Sequence, residues 1–97
     1  MNPNRIFAAL ASAPRREILS FLSQTALTTS ELAARFPMSA PAVSRHLSIL
    51  QAAGLVSAER QGQRVLYRLE RDALLNALAR LASEVDGPLR IKPREAL

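Results

Sequence analysis

The chain has 97 residues, 48% of them apolar and 22% charged, with a net charge of +5; that length holds one domain, and the composition is globular rather than disordered. It has no cysteine, which removes disulfides, thiolate metal sites and thiol redox sensing. No apolar run approaches the ~18 residues of a membrane span, and MNPNRIFAALASAP lacks the long apolar segment of a secretion signal, so a soluble cytoplasmic protein is expected.

In chain order, Asn4 to Ala11 places Ile6, Phe7 and Leu10 at helical spacing, a short amphipathic helix. Pro14 suits the first turn of a second helix, whose apolar face is Ile18, Leu19 and Leu22. The stretch TTSELAARF gives a third helix: Thr28 with Glu31 is a capping-box pattern, Leu32, Ala33 and Phe36 face inward, and Pro37 stops it. Met38 and Ser39 form a short turn. Ser39 caps a fourth helix, Pro41 falls in its first turn, and Val43, Leu47 and Leu50 mark its buried stripe. Gly54 ends that helix as a left-handed cap. The third and fourth helices, joined by so tight a turn, outline a helix-turn-helix.

After Gly54 the period changes. Leu55 to Arg60 and Arg64 to Leu69 read as two strands joined by Gln61-Gly62-Gln63, a hairpin with a basic, polar tip. A last helix from Arg71 to about Val85 puts Leu74, Leu75, Leu78, Leu81 and Val85 on one wide apolar face, and Gly87 and Pro88 end it. The expected fold is mainly α with a small β-hairpin, a winged helix-turn-helix in the order α-α-α-α-β-β-α. Residues 1–86 are expected to form the DNA-binding and dimerisation domain that this order of elements implies, and residues 87–97 a flexible tail.

The charge is unevenly placed. Residues 35–68 carry Arg35, Arg45, Arg60, Arg64 and Arg68 against Glu59 alone, whereas residues 69–97 hold equal numbers of each sign. A basic patch of this kind attracts a polyanion, nucleic acid above all, though it is equally compatible with a plain solvated face. A recognition helix needs small or polar residues at its start so that its backbone can approach base edges. Ser39, Ala40, Pro41, Ser44 and Arg45 meet that need and lie off the apolar stripe. Arg60, Gln61, Gln63 and Arg64 of the wing are placed to grip the DNA backbone or a minor groove.

The segments ASAPRREILSFL, TTSELAARF, MSAPAVSRHLSILQAAGLV and RQGQRVLYRL together resemble the ArsR/SmtB family of bacterial winged-helix repressors over roughly residues 5 to 85. The resemblance implies sequence-specific binding to double-stranded operator DNA by a homodimer. It also puts His46, the only histidine, near the DNA face, where packing or a phosphate contact are the roles to expect. Family sequences often have glutamine where this chain has Ala40. Metal sensors of the family carry cysteines where this chain has Thr29, Ser30, Glu31 and Leu32, or Asp and His pairs in the last helix, where this chain has Asp72 and Glu84 but no histidine. No metal, cofactor or enzymatic activity is expected: no phosphate loop, nucleophile motif or paired carboxylate is visible. The effector, whether small molecule or protein, is left open.

A small helical fold gains stability by sharing a core with a second copy. Ile6, Phe7 and Leu10 with Leu74, Leu78 and Leu81 give more apolar face than one small core covers, so these are the expected dimer contacts. The competing reading is a helical protein-interaction module whose basic face meets DNA only non-specifically. Salt separates the two, because phosphate neutralisation is steeply salt-dependent and an apolar interface is not.

Overall fold

The computed structural model describes residues 3–86, so the expected tail at 87–97 lies outside the described residues. Within them the elements run α1 (Pro3–Leu10), α2 (Ala13–Leu22), β1 (Leu27–Thr28), α3 (Thr29–Ala33), α4 (Ala40–Ala52), β2 (Val56–Gln61), β3 (Arg64–Leu69) and α5 (Arg71–Asp86). The helix-turn-helix, hairpin and final helix fall where the sequence puts them.

Two features differ from expectation. The hairpin is part of a three-stranded sheet in the order β1-β3-β2, because Leu27 and Thr28 pair with Tyr67 and Leu66 of β3. A two-residue strand has no periodicity of its own; it exists because β3 offers it hydrogen bonds. The third helix is also shorter than TTSELAARF suggests. It closes through Arg35 N–H to Leu32 O (2.9 Å) and Phe36 N–H to Ala33 O (3.3 Å), tight i to i−3 bonds that end the helix before Pro37 is reached.

The caps explain the boundaries. Thr28 Oγ1 accepts from the Glu31 N–H (3.2 Å) while Glu31 Oε1 accepts from the Thr28 N–H (2.8 Å), a complete capping box. Ser39 caps α4, its hydroxyl oxygen accepting from the Ala42 N–H at 3.3 Å. At the other end of α4, Gly54 takes a φ of 78°. Its N–H donates to Gln51 O and the Leu55 N–H donates to Leu50 O, each at 3.0 Å. This is a Schellman closure whose apolar partners, Leu50 and Leu55, are both 0% exposed. The wing turns on Gly62 and Gln63, between the paired Gln61 and Arg64. Gly62 has a φ of 65° with nothing near the place of a Cβ, so the turn demands glycine for its conformation and not for space.

The core joins α1 to α4 with both strands of the wing's base. Ile18, Leu32, Val43, Leu47, Leu50 and Leu55 are fully buried at its centre, and no buried residue among those described is polar or charged. Each such side chain contributes about 1.5–3 kcal/mol of transfer free energy. Ile6 corrects an expectation. It is 2% exposed and, with Ala9, belongs to the protomer's own core rather than to a surface for a second copy. Phe7 and Leu10 beside it are half-buried. In α5 no residue is buried; Leu74 and Ala77 lean on the core, while Leu75, Leu78, Leu81 and Val85 are exposed.

Candidate nucleic-acid interface

The stripe Val43, Leu47 and Leu50, all 0% exposed, fixes one face of α4 to the core. That leaves Ser39, Ala40, Pro41, Ser44 and Arg45 exposed at and near the helix start, as the sequence anticipates. The Arg45 side chain makes no hydrogen bond or ion pair among the described residues, so its guanidinium has five donors to offer an external acceptor. Ser48, one turn on, turns its hydroxyl back to Ser44 O at 3.1 Å.

His46 is placed differently from its neighbours. It is half-buried, and its Nδ1 lies 3.4 Å from Arg15 Nη1. A guanidinium only donates, so Nδ1 accepts and the ring carries its proton on Nε2. Burial, then the charges of Arg15 and Arg45, hold the imidazole below its usual 6.5. The same Arg15 donates from Nε to Ala9 O (2.7 Å) and from Nη2 to Ala8 O (3.3 Å), and Arg16 Nη1 donates to Leu10 O at 2.6 Å. These carbonyls close the last turn of α1, where backbone donors run out: Ala8 O also accepts from the Ala11 N–H (3.2 Å), and the arginines serve the acceptors that remain. Arg15 therefore ties the end of α1 to the middle of α4 through His46. Arg5 adds a second tie, reaching from α1 to Ala52 O at the end of α4 (3.4 Å).

In the wing only the base of β2 is buried, and the strand is exposed from Ala58 to Gln61. Arg60, Gln61, Gln63 and Arg64 are all exposed, and the Arg60 side chain has no hydrogen bond or ion pair among the described residues. Arg64 has a carboxylate beside it, its Nη2 being 3.6 Å from Glu31 Oε1. Arg68 Nη2 sits 3.4 Å from Glu59 Oε1, which also accepts from Gln61 Nε2 at 3.2 Å. The backbone N–H and hydroxyl of Thr28, more than the arginines nearby, hold the Glu31 carboxyl below its usual 4.5.

The structure thus presents two exposed arginine-bearing elements on one rigid frame, with α3 packed against both α4 and β3. Sequence reasoning missed the parts played by Arg15 and Glu31. Arg15 reads as a polar residue at a helix start, and Glu31 declares itself only as a cap. Their partners lie far along the chain, where no local pattern points. Among the described residues no three His, Cys, Asp or Glu come together as a metal site would require, and no helix is long and apolar enough to cross a membrane.

Comparison with known proteins agrees with this geometry. The sequence pattern of bacterial regulatory proteins of the arsR family matches residues 13–58. The chain is 35% identical over 75 residues to the transcriptional repressor SdpR of Bacillus subtilis, covering 77% of this chain and 83% of that protein. An ArsR-like transcriptional regulator from Rhodococcus sp. RHA1 superposes with a TM-score of 0.76 at 36% identity, over 86% of this chain and 77% of that one. A homodimeric winged helix-turn-helix DNA-binding domain from Mycobacterium bovis, solved in solution, gives 0.71 at 30% identity over 92% and 84%. The chain belongs to the arsR family of bacterial regulatory proteins and is a transcriptional regulator with a DNA-binding winged helix-turn-helix.

Proposed function

We propose that this regulator represses transcription by binding an inverted-repeat operator as a homodimer, with α4 in the major groove and the wing on the backbone or an adjacent minor groove. The observation that carries the reading is Arg45. It stands exposed beside Ser44 in the second turn of a helix whose opposite stripe, Val43, Leu47 and Leu50, is fully buried, and its side chain has no hydrogen-bond partner among the described residues. A helix held so firmly, with a guanidinium kept clear of internal partners, suits entry into a groove. Ser39, Ala40 and Pro41 let the backbone approach, and Arg60, Gln61, Gln63 and Arg64 supply phosphate contacts. His46 acts here by holding α4 against α1 through Arg15 rather than by touching a base.

The dimer is built on α1 and α5. Leu75, Leu78 and Leu81 expose 53%, 45% and 43% of their surfaces in the protomer. With Phe7, Leu10 and Leu74 they form an apolar surface that a two-fold partner would cover. The homodimeric state of the Mycobacterium bovis domain supports this arrangement, and the repressor activity of SdpR supports the sense of regulation. Two copies would address grooves one helical turn apart, about 10 base pairs. The test is a footprint on the chain's own promoter region together with a promoter–reporter fusion. Protection of two symmetric half-sites and lower reporter output with the protein present are expected. A single asymmetric footprint, or higher output, would overturn the dimeric-repressor reading.

A further inference from the structure

We infer that Glu31 is a negative determinant of DNA affinity: it holds the wing's Arg64 in the free protein, and DNA must take Arg64 from it. The inference rests on the wing assignment above and deepens it. Thr28 is the hinge of the geometry. As part of β1 it pairs with Leu66 of β3, and as N-cap it starts α3. That double role brings the first turn of α3 beside the start of β3, so that Glu31 at the third helical position meets Arg64, two residues before Leu66. The carboxylate is fixed from behind by the Thr28 N–H at 2.8 Å, and one oxygen, Oε1, faces both that N–H and the guanidinium. It is therefore a positioned acceptor and not a side chain free to swing away with its partner.

Arg64 keeps its freedom to leave. The two side chains are 65% and 45% exposed, and a cleft of about 490 Å³ opens between α3 and the wing, lined by Thr29, Ser30, Gln63 and Arg64 among others. A phosphate bound by Arg64 would have to draw it from Glu31 and would leave a second anion close by. Both effects weaken binding to every sequence alike, because neither involves a base. Arg60 at the wing tip has no such side-chain restraint, so the tip carries one arginine ready for phosphate and one held back, while Arg68, further along β3, is paired with Glu59.

The replacement that tests this is Glu31→Gln. Glutamine also completes a capping box, so the charge goes while the helix start remains. Exposed ion pairs are weak, so Glu31→Gln should tighten binding to promoter and to unrelated duplex DNA by the same factor, about 2–5-fold. Most of the gain should be lost in an Arg64→Ala background, where there is no arginine to release and only the carboxylate's own repulsion of phosphate remains to be relieved. The measurement is a double-mutant cycle by fluorescence anisotropy on both duplexes, with thermal melts showing that all four proteins are folded. If Arg64→Ala weakens binding but Glu31→Gln gives the same gain with and without Arg64, Glu31 acts only as a distant charge and the inference fails alone. No gain in the unmodified background also overturns it. If Arg64→Ala binds as tightly as the unmodified protein, the wing assignment fails and takes the inference with it.

Discussion

Replacing Leu78 by glutamate strikes at the surface proposed to join two protomers. Leu78 is 45% exposed in the protomer, so roughly half of a leucine's transfer free energy remains for a partner to collect, about 1 kcal/mol. Two-fold symmetry counts every substitution twice, which makes about 2 kcal/mol lost from the dimer before charge is considered. Glutamate also puts two carboxylates against leucines 75 and 81 of an apolar surface, where each must stay hydrated or take up a proton. The combined penalty is on the order of 2–4 kcal/mol, or roughly 30- to 1,000-fold in dimer dissociation constant. Because Leu78 is not in the core, the protomer itself should fold with unaltered helix content. Sedimentation equilibrium from 0.1 to 100 micromolar reads the shift, and operator binding should weaken with it. A Leu78→Glu protein as dimeric as the unmodified chain, or an unmodified chain monomeric at micromolar concentration, would refute the assignment of this surface.

Removing the hydroxyl that caps α4, in Ser39→Ala, should cost about 1 kcal/mol of stability in urea unfolding, because the Ala42 N–H loses its acceptor; an unchanged midpoint would mean that the cap is idle. His46 makes stability depend on pH. Its folded value lies below 6.5, so the unfolded chain binds more protons just below 6.5, and stability should fall as pH drops from 6.5 toward the folded value and be unaffected above it. His46→Gln should abolish that slope, and an identical slope in both proteins would show that another group is responsible. Glu31, held below 4.5, adds its own loss of stability only at more acidic pH. Zinc or cadmium at one equivalent should leave operator affinity unchanged, since thiolates and paired imidazoles are absent from the sequence; chelator-reversible release from DNA would reveal a site of another kind.

Much of this architecture is legible in the sequence because it depends on local rules. The 3.6-residue spacing of Val43, Leu47 and Leu50, the Ser39 cap and the Gly54 stop define α4 to within a residue of its observed ends. Gly62 between two short strand-like segments, the second of them alternating, defines the wing. What escapes is whatever depends on a partner distant in the chain. β1 is a strand only because β3 is beside it. Helical periodicity shows that α1 has an apolar face but not who covers it, and Ile6 is covered by its own protomer while Leu78 is left bare. The residues proposed to meet DNA are visible in the sequence as small, polar and basic groups near a helix start and at a hairpin tip. The links from Arg15 to His46 and from Glu31 to Arg64, spanning separate elements, were not.

The most direct test of DNA reading by α4 compares Arg45→Ala with Arg64→Ala on operator and scrambled duplexes across a salt series. Arg45→Ala should lose about 1–3 kcal/mol on the operator and relax discrimination at one base position in each half-site. Arg64→Ala should instead weaken both duplexes about equally and lower the salt slope by about one unit per protomer. If both variants fold normally and bind the operator with unmodified affinity and selectivity, α4 is not the element that reads DNA.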